Sequence, residues 1–330
     1  MRYLVSGANG FVGLRLCRFL LERGCRVRAL IHRNTAGPWH EQVVWDLGNG
    51  KVPMDACRGI DGIFHLAGIA HLQDRSGVDE SLYKRVNVDG TRVLLEAAQA
   101  VAVSRFVYFS SVKAASDPGS DCVDETWDAP PTAPYGCSKR EAERLVLAAS
   151  DALPHVSVLR PTLVYGAGVK GNLRRMIDAV ASRRFPPLPE LSNRRSMVSV
   201  SDLAAAAWLA MTLDAANRRI YIVADGMDYS TRSLYLAICN ALGRQAPSWA
   251  LPSWLLKSGL LASAFLTQAS GRSMQFGAVL ERLCGSSCYR SDRLRSELGW
   301  RPTQTFFDLV NDMVAGTEGR ELLRQSSPPR

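Results

Sequence analysis

Tyr135 and Lys139 stand four residues apart, a spacing that puts two side chains on one face of a helix. A phenol titrates near pH 10 and is a poor base at neutral pH, but a nearby ammonium and a helix amino terminus both favour its ionised form. Pro134 immediately precedes the pair and suits a helix start. A phenol held there can give a proton to a carbonyl oxygen or take one from a hydroxyl. Ser111 ends the apolar run RFVYFSS (105–111) and offers a hydroxyl to the same oxygen. Ser111, Tyr135 and Lys139 are therefore the expected catalytic residues. They move protons and no electrons, so redox chemistry beside them needs a hydride carrier.

The amino-terminal residues describe a binding loop for such a carrier. The strand pattern RYLVS (2–6) runs straight into Gly7-Ala8-Asn9-Gly10-Phe11-Val12-Gly13, and then into a helix whose apolar face is Phe11, Val12, Leu16, Phe19 and Leu20. Glycine at 7 permits the tight turn, at 10 a close approach of the backbone to a pyrophosphate, and at 13 close packing of helix on strand. The free N–H groups of the helix then face the phosphates. Gly7, Asn9, Gly10, Phe11, Val12 and Gly13 are expected to line a dinucleotide site.

The end of the second strand bears on which dinucleotide. Ile31-His32-Arg33-Asn34 stands there, and no acid occurs between Glu22 and Glu41. A carboxylate would hydrogen-bond the ribose of NAD, whereas Arg33 can pair with the 2′-phosphate of NADP. NADP is favoured over NAD on this ground. Asp46 and Leu47 follow the third strand, suited to an adenine amino group and ring; Ala67 and Gly68 end the fourth, where small residues let a cofactor pass.

These motifs need a scaffold of alternating strands and helices. Strand patterns at 25–31, 42–45, 62–68, 105–111 and 156–162, with helical patterns at 11–23, 82–101 and 135–149, predict an α/β fold: a Rossmann doubly wound parallel sheet with a smaller, mostly helical C-terminal substrate domain. The boundary is placed near 165, giving a dinucleotide domain at 1–165 and a substrate domain at 166–330. Short strands at 196–200 and 220–224 suggest that a segment near 196–224 returns to the first domain.

With 330 residues, 47% hydrophobic and 22% charged, the composition is that of a folded enzyme. The net charge of +9 is carried by scattered arginines with no run longer than two, which suits a solvated basic surface or an anionic substrate and gives no ground for nucleic-acid binding. The eight cysteines form no C-x-x-C pair, and Cys284 and Cys288 have no nearby His or Cys to complete a zinc site. No metal is expected, and the cysteines read as reduced thiols of a cytoplasmic protein. The amino terminus enters a strand directly, so no leader is expected. The stretch LPSWLLKSGLLASAFL (251–266) contains Lys257 and falls short of the roughly 20 apolar residues of a spanning helix. It reads as a buried or lid helix, without stable membrane insertion.

Taken together, SGANGFVG (6–13), HLAG (65–68), NVDGT (87–91), FSSVK (109–113), PYGCSK (134–139), LRPTLVYG (159–166) and ELGWRP (297–302) resemble the extended short-chain dehydrogenase/reductase family over nearly the whole chain. The resemblance implies that Asn87 supports the helix beside the active site, that Lys139 also binds the nicotinamide ribose, and that helices 82–101 and 135–149 pair in a homodimer. VYGAGVKGN (164–172), NRRSMVSVSDLA (193–204) and ERLCGSS (281–287) are similar to nucleotide-sugar enzymes, namely UDP-hexose 4-epimerases and 4-keto-sugar reductases of the UDP-N-acetylquinovosamine dehydrogenase type. By that likeness Asn172 touches the nucleotide of a UDP-sugar, and Arg195 and Arg282 clamp its diphosphate. Val112 stands where many 4-epimerases carry a further Ser or Thr, and the acid they use for NAD is missing, which favours an NADPH-consuming reductase over an epimerase. A steroid-like alcohol dehydrogenase is a third enzyme reading, and a non-catalytic nucleotide sensor or interaction protein is the reading of another class.

Overall fold

The computed structural model describes residues 1–48, 50, 54–70, 80–119, 121–247, 249–252 and 285–325. Its strands in chain order are β1 (Arg2–Ser6), β2 (Arg26–Ile31), β3 (Glu41–Val44), β4 (Gly62–His65), β5 (Arg105–Phe109), β6 (Cys122–Val123), β7 (His155–Pro161), β8 (Leu163–Tyr165), β9 (Met197–Ser199), β10 (Arg219–Val223) and β11 (Cys288–Tyr289). Seven of them form one sheet in the order β10-β7-β5-β4-β1-β2-β3. Every pair in it is parallel. A parallel sheet covered on both faces needs unbroken apolar strands, and Leu4, Val5, Ile63, Phe64, Phe106, Val107, Val158 and Leu159 are all buried.

The helices are α1 (Phe11–Glu22), α2 (Glu80–Tyr83), α3 (Gly90–Ala100), α4 (Pro134–Ala148), α5 (Gly171–Ala181), α6 (Val200–Thr212), α7 (Thr231–Ala241), α8 (Asp292–Leu298) and α9 (Phe306–Gln325). One face of the sheet carries α1 and α6, with Leu16, Leu20, Leu203 and Ala207 in its core. The other carries α3 and α4 through Leu94, Ala98, Ala142 and Val146. This is the doubly wound arrangement expected from the sequence. The chain leaves β1 for β2 and β3 on one side and crosses to β4 on the other, so a cleft opens at the carboxyl ends of β1 and β4.

Two local findings go beyond the sequence reading. The segment expected as a helix at 82–101 is helical as far as Ala100, but Lys84–Asp89 winds as a π-helix between α2 and α3; such bulges are frequent at functional sites. The strands β6, β8 and β11, each two or three residues long, were not legible because so short a run shows no alternation.

After β7 the chain builds a second core around Tyr165, Leu173, Ile177, Tyr229, Ile238 and Phe306, while β10 lies beside β7 at the edge of the main sheet. Asp202 fastens the carboxyl-terminal segment to α6. Its Oδ1 accepts from Thr303 N (3.0 Å) and Thr303 Oγ1 (2.7 Å), its Oδ2 from Gln304 N (3.2 Å), and its carbonyl from Trp300 Nε1 (3.0 Å). The SDLA and ELGWRP motifs meet in this knot.

The reading of all cysteines as reduced thiols needs correction. Cys122 and Cys288, 166 residues apart, form a disulfide. The reason lies in tertiary register: β6 and β11 pair in parallel with Cys122 opposite Cys288, which no linear spacing reveals. Cys17, Cys25, Cys57, Cys137 and Cys239 are free, and Cys284 lies outside the described residues. A bridge closing so long a loop is worth up to about 5 kcal/mol through the unfolded chain. Reduction, or Cys122→Ser, is therefore expected to lower the denaturation midpoint in guanidinium clearly; an unchanged midpoint in dithiothreitol would show the bond does not form.

Among the described residues, no helix is long and apolar enough to cross a membrane. Residues 253–266 of the apolar stretch lie outside the described residues.

Candidate active site

The glycine loop takes the form its residues predict. Gly7 has φ +69°, and a Cβ there would stand 2.9 Å from Ala67 N. A Cβ on Gly13 would stand 2.2 Å from Gly7 O, which is far inside van der Waals contact. The turn closes with Gly10 N donating to Gly7 O at 2.9 Å, and Gly10 caps α1. The first turn of α1, with Phe11, Val12 and Gly13, thus opens its N–H groups towards the cleft beside Asn9. Both glycines are required by close backbone packing, and the helix amino terminus held there fits a dinucleotide pyrophosphate.

Around this loop, Ala67 backs directly on Gly7, and a Cβ on Gly68 would lie 2.9 Å from Asn87 Oδ1 and 3.6 Å from Lys139 Nζ. Arg33 is exposed just beyond β2. Asp46, beyond β3, has its Oδ2 3.6 Å from His32 Nε2, so a carboxylate does stand near the end of β2, brought there by the pairing of β2 with β3. Leu47 packs over Gly90, where a Cβ would meet it at 2.9 Å.

Asn87 is buried in the π-helix. Its Oδ1 accepts from Ile69 N (2.8 Å), and its Nδ2 donates to Ile69 O (3.1 Å) and to Ser138 Oγ (3.0 Å). Ser138 Oγ in turn donates to Tyr135 O at 2.8 Å. One side chain thereby ties the end of β4 to the first turn of α4.

Tyr135 and Lys139 occupy one face of α4, and the Ser111 hydroxyl lies near the Tyr135 phenol. Ser111 Oγ also accepts from Lys113 N at 3.2 Å, which fixes the turn after β5. The Tyr83 ring lies 6.1 Å from that of Tyr135. Lys139 is only 4% exposed. Its Nζ donates to Phe109 O (2.8 Å) and to Tyr108 OH (3.2 Å). Burial lowers its pKa to about 8, against an upward pull from Glu143. Glu143, one turn further along α4, is held by Arg160 of β7 through bonds of 2.8 and 2.6 Å.

The phenol behaves differently from the expectation of a lowered pKa. Burial pushes Tyr135 up to about 12, with the Ser111 bond pulling down less strongly. Desolvation of the anion outweighs the favourable terms in this arrangement. A raised pKa favours the protonated phenol, the form that donates.

The residues expected to hold substrate lie beyond β8. Asn172 is exposed on the first turn of α5, an element separate from the Ser111–Tyr135–Lys139 group. Arg195 is half-buried, pairs through its backbone with Tyr229, and donates from Nε to Thr231 Oγ1 at 3.2 Å. Arg282 lies outside the described residues. Gly166, in the loop after β8, would bring a Cβ 3.9 Å from Phe11, so this lobe abuts the glycine loop.

Comparison with known proteins supplies the family. Residues 3–224 match the NAD dependent epimerase/dehydratase family. The chain belongs to that family. It is an enzyme on the short-chain dehydrogenase/reductase plan, NAD(P)-dependent, of the epimerase or dehydrogenase type. The chain is 29% identical over 311 residues to the UDP-glucose 4-epimerase of Vibrio cholerae, covering 92% of this chain and 91% of the relative. It is 28% identical to a 3-beta-hydroxysteroid dehydrogenase of Mycolicibacterium neoaurum, covering 95% and 93%. Among solved structures, MoeE5 in complex with UDP-glucuronic acid and NAD superimposes with a TM-score of 0.77 at 24% identity, covering 97% of this chain and 100% of that one.

Sequence reasoning passed over Tyr108, Thr91, Glu143 and Arg160. Glu143 could have been found, because it lies four residues beyond Lys139 on the same helical face. Arg160 interrupts an apolar strand, and a buried guanidinium requires a partner. Tyr108 gave no signal, since aromatic residues are common in strands.

Proposed function

We propose that this enzyme reduces a UDP-4-keto-hexose at C4, consuming NADPH, in surface polysaccharide synthesis. The observation that supports the reading is the half-buried Tyr135 phenol set beside Ser111 and one turn from Lys139: reduction of a ketone needs a proton donor at its oxygen. A bound nicotinamide supplies the hydride. Ser111 holds the carbonyl oxygen, Tyr135 gives it the proton, and Lys139 offsets the charge left on the phenol. Gly7, Asn9, Gly10, Phe11, Val12 and Gly13 cradle the dinucleotide, Asp46 and Leu47 meet the adenine, and Ala67, Gly68 and Asn87 line its path. The exposed Arg33 supports a 2′-phosphate, hence NADP over NAD.

Residues 1–165, with the segment near 196–224, form the dinucleotide domain, and 166–330 the domain for the UDP-sugar, with Asn172, Arg195 and Arg282 towards the nucleotide. The protein works in the cytoplasm as a homodimer. The similarity to the Vibrio cholerae epimerase favours one alternative: 4-epimerisation of a UDP-hexose such as UDP-glucose or UDP-N-acetylglucosamine by the same residues.

Incubating the purified protein with UDP-sugars while following nicotinamide absorbance separates the two. Stoichiometric loss of NADPH with a UDP-4-keto-hexose is expected. Interconversion of two UDP-hexoses without net cofactor change would replace the reductase by the epimerase, and turnover of sterols alone would remove both.

A further inference from the structure

Ser6, His65 and Thr91 are fully buried polar side chains that the proposed proton transfer leaves unused. They meet where the main sheet opens into the cleft. β1 and β4 pair in parallel with Ser6 opposite His65, and the next backbone bond, from Leu66 N to Ser6 O, is 3.2 Å long. Beyond it the Ser6 hydroxyl takes over as acceptor, from Ala67 N and from the shared Leu66 N, both at 3.1 Å. Ala67 is the residue on which Gly7 packs: a Cβ on Gly7 would stand 2.9 Å from Ala67 N and 3.0 Å from its Cα. One hydroxyl therefore sets how closely the end of β4 approaches the glycine loop.

The hydrogens of this cluster follow from its donors and acceptors. Both lone pairs of Ser6 Oγ are taken by N–H groups, so its own hydrogen goes to His65 Nδ1, 2.6 Å away. At the other end Thr91 gives its only hydroxyl hydrogen to the Asn87 carbonyl at 2.6 Å, so its oxygen accepts from His65 Nε2 at 2.9 Å. The two ends independently require one form of the ring, neutral with its hydrogen on Nε2. An imidazolium would set an Nδ1 hydrogen against a hydroxyl with no lone pair to spare. The surroundings oppose it too. Burial, with repulsion from Lys139 of α4, lowers the His65 pKa to about 3. The rings of Phe106 and Tyr108 on β5 lie 5.9 and 5.5 Å from the imidazole.

We infer that His65, given a dinucleotide held at the glycine loop as proposed above, is a positioning residue for that cofactor: its bare Nδ1 turns the Ser6 hydroxyl so that both lone pairs face Leu66 and Ala67, and its Nε2–H anchors the ring to Thr91 and through Thr91 to Asn87. Direction matters because each donor is used once. A ring with its hydrogen on Nδ1 would compete for the Ser6 oxygen and release Ala67 N where β1 and β4 diverge. The anchor at Asn87 is the residue whose side chain grips Ile69 and Ser138. Ala67 and Ile69, on either side of Gly68, are thus held by the two ends of one network centred on His65.

Two measurements on the full-length protein read the ring and the cofactor separately. The chain has five histidines, so histidine labelled with nitrogen-15 in the ring gives a resolvable NMR spectrum, with His65→Leu assigning the signal. His65 should carry hydrogen on Nε2 only and keep that pattern from pH 8 to pH 5. Fluorescence titration with NADPH and NADH then measures binding. Ser6→Ala leaves His65 Nδ1 and Ala67 N without their partner and should raise the Kd of the dinucleotide that wild type binds by about tenfold. His65→Leu should raise it at least as far, and Ser6→Thr, which keeps the hydroxyl, should bind within about threefold of wild type. Thermal unfolding checks that each variant folds, and Ser6→Ala, which displaces the same NMR signal, serves if His65→Leu does not. A merely structural role would lower the unfolding midpoint and leave the Kd of the folded protein unchanged. A Kd within about twofold of wild type in folded Ser6→Ala, or hydrogen on Nδ1 of His65, overturns the inference and leaves the proposed cofactor site standing. A wild-type protein that binds neither dinucleotide overturns both.

Discussion

Replacing Tyr135 with Phe is expected to lower kcat by about 1,000-fold, the range that a positioned general acid contributes. The KM for the sugar should change little, because the ring, its contact with Tyr83 and the Ser138–Tyr135 backbone bond all remain. The loss should be of the transition-state kind, with kcat and kcat/KM falling together. Steady-state kinetics at saturating cofactor checks it. Retention of more than about a tenth of wild-type kcat would remove Tyr135 from the proton step, since general acid–base catalysis is worth at least about 100-fold. Binding of the dinucleotide, measured separately, should be almost unchanged, which separates a lost proton donor from a damaged site.

The second large effect is expected at Gly13. Its Cβ position lies 2.2 Å from Gly7 O and 2.8 Å from Ala8 Cα, both backbone atoms that cannot swing aside. Gly13→Ala must therefore push α1 away from the loop. The amino-terminal N–H groups then leave the pyrophosphate position, and dinucleotide affinity should fall by about 100-fold or more, the cost of losing two or more charge-assisted bonds. The local overpacking should also cost about 1–3 kcal/mol of stability. Titration with NADPH and NADH checks the first and denaturant unfolding the second. Binding within about threefold of wild type would show that the loop yields more easily than close-packed backbone should. At Gly24, where a Cβ meets nothing within 4 Å, no such clash arises and the positive φ of +71° is the constraint.

These two sites were readable from the chain because each depends on local spacing. Tyr135 and Lys139 share a helical face through a four-residue interval, and the glycine loop follows its strand without a gap. The doubly wound sheet was likewise legible, since buried parallel strands read as short apolar runs between amphipathic helices. What was not legible depends on elements far apart in the chain. The Cys122–Cys288 bond needs β6 and β11 in register. The hydrogen bonds from Ser6 through His65 to Thr91 join three separate elements, and nothing in the spacing of these residues announces them. The direction of the Tyr135 shift also escaped, because a sequence shows the neighbouring lysine but not how far the surrounding chain desolvates the phenol. Asp46 reached His32 through the pairing of β2 with β3, although the residues after β2 contain no acid. The carboxylate proposed for the adenine and the arginine proposed for a 2′-phosphate each follow one of the paired strands β2 and β3.

In the proposed reaction, hydride from the dinucleotide reaches C4 of the sugar while Tyr135 protonates the oxygen. It is tested most directly with NADPH carrying deuterium at the nicotinamide C4, prepared separately on each face, and a UDP-4-keto-hexose. Mass spectrometry and NMR of the product should find one deuterium at the sugar C4, from one face of the cofactor only, with the wild-type enzyme, and the same label at a greatly reduced rate with Tyr135→Phe. A product that forms without deuterium at C4, or at an undiminished rate in the Tyr135→Phe variant, would contradict it.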